Sequence, residues 1–314
     1  MGALILELFP EQGLGPEPAP PGAVPGVHPF SILRSDLGPW RERRRAWKDL
    51  GLDSQRGREH VQTYAAPGGF GADMLRKFKG GDGASTFDPV LAETHYAWYC
   101  PEGGRILDPF AGGSVRGLVA GNGGYQYDGV DLSGPQIDAN EEQAEDWQER
   151  DLLAEVPRWH EGDAADVLPE FKDESFDYVF TCPPCFNLER YSDHPADLSA
   201  MKWREFTEAY QEIIAESVRC LAEDRFATWV VGEVRNSSGA VRGLAPLTIA
   251  AHEAAGVRLY NDAVLMNSIG TTAMRLPQQW RASRKIDRIH QYVLTFVKGD
   301  PKKATQALPV PEKP

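Results

Sequence analysis

Two short segments of the chain carry residue types that could do chemistry. The first, Asp108-Pro109-Phe110-Ala111-Gly112-Gly113-Ser114, is a glycine turn that lets the backbone pass close to a ligand. The second, Thr181-Cys182-Pro183-Pro184-Cys185, places a thiol beside a turn stiffened by two prolines, which also lack N–H donors. Each follows a short apolar run that reads as a buried strand, at 105–107 and at 176–180. In an open parallel sheet, ligands bind in the crevice outside the strand carboxyl ends. The two segments therefore face each other across one cleft, one on a ligand-holding side and one on a reactive side.

Further side chains join these two sides. Asp131 ends the next strand, about 20 residues past the glycine turn, where a carboxylate accepts ribose hydroxyls. A helix N-cap is the alternative, with Ser133 competing for that role. Glu233 follows the strand at 228–232, and Arg235 is its alternative partner at the surface. Cys182 and Cys185 form a Cys-x-x-Cys pair. No second Cys or His pair has zinc-site spacing, so no metal is expected. A thioredoxin-like redox pair is disfavoured by its place well past the glycine turn.

These words resemble the S-adenosylmethionine-dependent DNA methyltransferases over roughly residues 87–300, with the cofactor loop first and the catalytic loop second. The resemblance implies an α/β, Rossmann-like methyltransferase fold with a mostly parallel seven-stranded sheet and a final hairpin-like pair. It implies S-adenosylmethionine as cofactor and DNA as partner. On the cofactor side it points to Asp108, Phe110, Gly112, Gly113 and Asp131, and to Asp163 as acceptor of the adenine amine. Asp163 as an N-cap is the alternative. Asp108 disfavours the pyrophosphate that a dehydrogenase carries on such a turn. It suits the cofactor's ammonium group, or orders the loop through hydrogen bonds. Phe87 resembles a lid over the methionine end, and a plain core helix there is the alternative.

On the catalytic side Thr181, Pro183 and Pro184 would present acceptors to a base extruded from the duplex. Amine methyltransferases of this family carry an aromatic residue as the last letter of the word, and here it is Cys185. Carbon-5 cytosine methyltransferases carry Pro-Pro-Cys there, and a glutamate at the end of the next strand, which Glu233 matches. Cys185 as a covalent nucleophile is therefore the first expectation, and amine methylation with Phe186 substituting for the aromatic is the second. The first word, with Asp-Pro-Phe in place of Asp-Leu-Phe, and Phe186 in place of Gln depart from the carbon-5 pattern. A nucleotide-dependent oxidoreductase and a catalytically inactive DNA-binding relative complete the alternatives.

Composition bounds the rest. Net charge is −13 in 314 residues, which argues against DNA binding by bulk charge but not against a local basic face. Arg43, Arg44 and Arg45 lie in one basic group, and Arg281 and Arg284 in another; both are candidates for phosphate contact, with a solvated helix face as the alternative, while Arg190 beside the catalytic loop is a candidate for contact with the flipped nucleotide or its orphaned partner base. Tyr191, Gln278 and Gln279 are further candidates for contact with the nucleic acid. No apolar run of about 18 residues exists and no export signal is evident, so a cytoplasmic protein with reduced cysteines and no membrane contact is expected.

The elements that must position these groups follow from alternation. Strands are expected at 105–107, 126–130, 158–161, 176–180, 226–231, 258–265 and 291–297, and helices at 114–121, 134–149, 203–221 and 245–255. Four regions follow: a Pro/Gly-rich segment at 1–30, a basic helical arm (31–62) and Gly-rich loop within 31–86, the methyltransferase domain at 87–300, and a loose tail at 301–314.

Overall fold

A computed structural model describes residues 27–57, 62–63, 86–192, 194–267 and 272–309. Most of the Pro/Gly-rich segment, the Gly-rich loop at 66–85 and Gly270 lie outside the described residues.

The main sheet has eight strands: β1 Ile32–Arg34, β3 Arg105–Asp108, β4 Gln126–Asp131, β5 Arg158–Glu161, β6 Phe176–Thr181, β8 Leu221–Val231, β9 Arg258–Met266 and β10 His290–Lys298. Two short strands, β2 Gln62–Thr63 and β7 Glu189–Arg190, form a separate antiparallel pair. The spatial order is β1-β9-β10-β8-β6-β3-β4-β5. The strands from β8 through β5 are parallel, while β10 runs antiparallel to both β8 and β9. The expected seven strands thus gain an eighth. β1 lies parallel to β9, Leu33 beside Leu265, and buries only Leu33. One buried residue in three gives no period to read.

Helices cover both faces. One side carries α1 Gly38–Asp49, α2 Pro89–Tyr99, α3 Val115–Asn122 and α4 Gly134–Glu149, around Trp47, Tyr96, Tyr178 and Phe180. The other carries α5 Ala164–Val167, α6 Trp203–Cys220 and α7 Leu244–Ala254, around Phe206, Tyr210, Trp229 and Phe296. Local chemistry sets the starts. Asp88 caps α2 by accepting from Val90 N at 3.0 Å, with Pro89 opening the helix. Ser133 caps α4 ahead of Pro135.

Several expectations are corrected. Among the described residues of the arm expected to be helical over 31–62, only α1 is helical, between β1 and Gly51, whose φ of +91° ends it. It is not a separate arm: β1 joins the main sheet and α1 packs on α2. The tail is ordered through α9 Pro301–Gln306, capped by Asp300 and holding buried Ala304. Between β9 and β10 stands α8 Thr272–Ser283, which contains Pro277. No helix of the described residues is long and apolar enough to cross a membrane.

Two core histidines give the fold a pH dependence. Burial drives His95 from 6.5 down to about 4 and His252 down to about 3. Each ring bonds the carbonyl one turn back, Leu91 or Thr248, and His252 also stacks on Phe296 at 3.7 Å. Below pH 6.5 the unfolded chain binds protons that the folded chain refuses, so stability falls as pH falls. At pH 5 each histidine costs about 2 kcal/mol relative to neutral pH. The urea midpoint should drop between pH 7 and 5, and His95→Gln should flatten that drop; an unchanged midpoint would refute it.

Candidate active site

The carboxyl ends of β3, β4, β5, β6 and β8 open on one cleft of about 1130 Å³. After β3 the chain winds outward through β4 and β5, then crosses back to β6 on the other side of β3. The ends of β3 and β6 therefore flank the topological switch point, where such sheets bind ligands. Pro109, Phe110, Gly112, Asp131 and Asp163 line one side. Cys182, Pro183, Pro184, Cys185 and Glu233 line the other.

Asp108 ties the two sides together from below. It is completely buried. Oδ1 accepts from Thr181 Oγ1 at 2.6 Å and from Phe110 N at 3.2 Å. Oδ2 accepts from Tyr127 Oη at 2.7 Å and from Arg116 Nε at 2.5 Å. Arg116 also donates to the carbonyls of Phe110 and Ala111, so it holds the turn by its backbone. Burial works against the Arg116 charge, but Asp108 outweighs it and the guanidinium pKa is raised. Of the two expectations for Asp108, the geometry is that of loop ordering. The carboxylate has no surface to offer an ammonium group. Thr181 is corrected with it: the side chain is buried and donates to Asp108 rather than facing a base.

The glycine turn is set from both directions. Gly112, at φ +53°, donates to Asp131 Oδ2 at 2.8 Å, and its carbonyl accepts from Asn140 Nδ2 at 2.8 Å. Gln136 Nε2 bonds Asn140 Oδ1 at 2.9 Å and also Arg56 O at 3.1 Å. Asp131 Oδ1 accepts from Ser133 N at 2.9 Å. Asp163 caps α5, with Oδ1 on Ala165 N at 3.0 Å, and still lines the cleft. This side therefore offers carboxylate acceptors between apolar Leu132 and Ala164. Arg116, in its wall, is committed to Asp108 and two carbonyls. Such a donor set fits the hydroxyls and amine of an adenosine group better than a pyrophosphate. Gln136 and Asn140 were missed in the sequence, although polar residues four apart on the buried stripe of a helix were the visible signal. Phe87 packs edge-on against Phe180 at 5.6 Å under the Arg116 guanidinium, so it sits at the cleft's core wall.

On the reactive side Pro183 is buried and Pro184 half-buried. Cys185 is half-buried as a residue and turns its sulfur inward to Gly232, whose N–H donates to Sγ at 3.3 Å. A Cβ on Gly232 would meet that sulfur at 2.9 Å, so glycine is required for this packing. Burial, with Cys182 adding to it, pushes the Cys185 thiol up to about 12. A nucleophilic cysteine needs the opposite shift. Glu233 Oε1 accepts from the N–H groups of Val234, Gly243 and Leu244, each at 3.0 Å. It anchors the start of α7, and does not pair with Arg235 as the alternative had it. Phe186 adopts φ +52° and packs edge-on to Trp203 and Phe206. Its ring is buried in the core, which removes it as the substitute aromatic.

The basic candidates divide. Arg43 is buried in a bidentate pair with Glu93, beside Trp47. Arg44 pairs with Asp88 and reaches Ser35 O. These two are corrected from phosphate contacts to struts between α1 and α2. Arg45 is exposed, Arg190 is exposed in β7, and Arg281 and Arg284 are exposed at the end of α8 and just after it. Among the described residues no group of three or more His, Cys, Asp or Glu is placed to hold a metal ion.

Comparison with known proteins gives the same outline. Residues 110–224 match the family model described as a methyltransferase domain. Over these residues the chain is similar to methyltransferase domains, and S-adenosylmethionine is the cofactor. No curated protein matches. Solved structures that it resembles include TrmN from Thermus thermophilus, 16% identical over 68% of this chain, with a TM-score of 0.44. The alignment spans 49% of that protein, about half its length. Another is the [4+2]-cyclase SpnF, 16% identical over 73% of this chain and 93% of that one, at a TM-score of 0.47. A third is a putative DNA modification methylase, also from Thermus thermophilus, 22% identical over 44% of this chain and 51% of that one, at 0.33.

Asp108→Asn should leave Arg116 buried without its counter-charge. Losing one partner of such a pair costs about 3–5 kcal/mol. Chemical denaturation should show that loss. A loss below about 1 kcal/mol, the worth of a surface pair, would refute the tie.

Proposed function

We propose that the protein is an S-adenosylmethionine-dependent DNA base methyltransferase acting directly on an exocyclic amine. The observation that carries this reading is the Cys182-Pro183-Pro184-Cys185 turn, facing the glycine turn across one cleft with its thiol turned inward. Two successive prolines have no N–H, so the turn has acceptors to offer where an amine brings donors. At neutral pH a thiol held near 12 stays protonated and is a poor nucleophile. Amine methylation needs no such nucleophile.

When bound, S-adenosylmethionine supplies an electrophilic methyl group. The chain supplies placement. Asp131 accepts from hydroxyls at the end of β4, and Asp163 accepts from the adenine amine after β5. Gly112 and Gly113 let the backbone lie against the ligand, and Phe110 closes that wall beside Tyr210. Carbonyls of the proline turn accept the hydrogens of the target amine and orient its nitrogen. Leu188, Tyr191, Ser192, His194 and Asp197 line the cleft beyond that turn. Asp197 stiffens this stretch by accepting from the N–H and hydroxyl groups of both Ser192 and Ser199.

Carbon-5 methylation through Cys185 is the second reading, favoured by one contact. The Gly232 N–H points at Sγ and would stabilise a thiolate, with Glu233 next in sequence. That mechanism also requires a group that lowers the thiol from about 12 once the base is bound.

Two measurements test the proposal. Asp131→Ala should weaken S-adenosylmethionine binding by about 1–3 kcal/mol in calorimetry, the order of a lost charged hydrogen bond. Unchanged affinity with the fold intact would remove Asp131 from the site. Cys185→Ala should keep methyl transfer to DNA within about tenfold of wild type, far from the loss expected of a missing nucleophile. Nucleoside mass spectrometry should find the methyl on N4 of cytosine or N6 of adenine. Abolished transfer in a folded Cys185→Ala protein, with 5-methylcytosine as the wild-type product, would hand the case to the carbon-5 reading.

A further inference from the structure

Many arginines of this acidic chain are paired with carboxylates. Arg34, Arg43, Arg44, Arg56, Arg105 and Arg116 each pair with a carboxylate. Among the described residues Arg41, Arg45, Arg150 and Arg258 are not so paired, and one stretch of surface gathers six further cations without a carboxylate partner. Arg235, Arg242, Arg281, Arg284, Lys285 and Arg288 form no ion pair with a carboxylate among the described residues.

The fold gathers these six on one rim of the cleft. β8 ends and β10 begins at the cleft edge, since Val231 pairs with Tyr292. The loop after β8 carries Arg235 and Arg242, and Arg242 N bonds Val234 O at 2.9 Å, next to Glu233 in the cleft wall. The end of α8 carries Arg281, and the connection into β10 carries Arg284, Lys285 and Arg288. The two loops touch, because a Cβ on Gly239 would lie 3.0 Å from Lys285 Cε. Arg288 lines the cleft itself.

Several of these cations are held in place by neutral partners. The Arg242 guanidinium lies over Phe186 at 4.9 Å and Trp203 at 4.7 Å, and its Nε is buried with no hydrogen-bond partner. Phe186 directly follows the catalytic word. Arg284 lies over Trp280 at 5.2 Å, and Arg288 lies over Tyr292 at 5.3 Å. Stacking fixes a guanidinium plane and leaves its charge unneutralised. Trp280 is itself 43% exposed.

From this we infer that the rim formed by the β8–α7 loop and the α8–β10 connection is the phosphate-binding track for the DNA duplex that flanks the target base. The inference rests on the DNA reading above and moves the track away from α1. It also reconciles a net charge of −13 with a polyanionic partner. The acidic body repels DNA generally, and one unneutralised strip beside the cleft admits it in one orientation.

Fluorescence anisotropy of a short labelled duplex, titrated in salt with the full chain, tests it. Each phosphate contact contributes about 0.9 to the slope of log affinity against log salt. The triple variant Arg281→Gln, Arg284→Gln, Lys285→Gln should lower that slope by about 2 to 3 and weaken binding at low salt by about tenfold or more. Arg242→Gln should lower it by about one. The control Arg41→Gln, Arg45→Gln, on exposed positions of α1, should leave it unchanged. The triple-variant and control residues are outside the core, and circular dichroism would verify the fold. A wild-type slope in the triple variant, or a loss confined to the α1 control, would overturn the assignment. So would binding of single-stranded RNA but not of the duplex. Rim-dependent duplex binding without methyl transfer to DNA would instead leave the rim standing and sink the proposed reaction.

Discussion

The buried Asp108 carboxylate is the constraint on which the rest of this molecule depends. It joins four pieces of chain: the glycine turn at Phe110, α3 through Arg116, β4 through Tyr127, and the root of the proline turn through Thr181. A buried charge is tolerated only when paired and saturated with hydrogen bonds, and this one is both. The consequence is geometric. Cofactor loop and reactive loop come from strands that are neighbours in the sheet, yet a strand pair alone leaves the loops beyond it loose. Their relative position is set because each hangs from the same carboxylate. Methyl transfer needs two reacting atoms held close and in line, so placement of the loops is the main service such a protein renders.

The reactive side shows how burial selects among mechanisms that share a motif. A cysteine after a double proline has the right neighbours by name for covalent catalysis. Its environment is that of a buried, protonated thiol. Desolvation raises the thiol, Cys182 adds to the rise, and the single Gly232 N–H only partly offsets it. Glu233 occupies the matching strand end, yet Oε1 serves three backbone N–H groups at the start of α7. Both residues act as packing and anchoring groups in this geometry. What remains at the cleft surface on that side is a rigid turn rich in carbonyl oxygens, suited to gripping a donor group.

Much of the fold was legible in the sequence because its signals are local. Short apolar runs ending in Asp108, Asp131 and Thr181 gave the strands, and the turns after them gave the cleft. β1 was not legible, since three residues with one buried carry no period and their partner, β9, lies far along the chain. α8 was hidden by Pro277 and by the exposure of its residues 276–283. Residue roles were harder. Arg43 and Arg44 look like neighbours of Arg45 in a basic run, and only the packing of α1 on α2 shows two of them spent on Glu93 and Asp88. Asp108 shows the same limit: its type was clear, but whether it faced a ligand or the core depended on Tyr127 and Arg116, which close in only when the sheet forms.

Charge balance differs between the core and one rim of the cleft. Within the fold many cations sit beside carboxylates, as Arg105 and Arg158 do around Asp128. That arrangement keeps an acidic chain compact, because each pair relieves some of the self-repulsion that its excess charge creates. On the β8–β10 rim the cations lean on aromatic rings instead. A ring steadies a guanidinium without cancelling its field, whereas a carboxylate would do both. The cleft mouth is therefore asymmetric, with carboxylates bonded to backbone N–H groups on the glycine-turn side and guanidinium groups without a carboxylate partner on the opposite rim. Under the proposed reading, ligand hydroxyls and amines meet the first and a polyanion meets the second. The two meet at the proline turn.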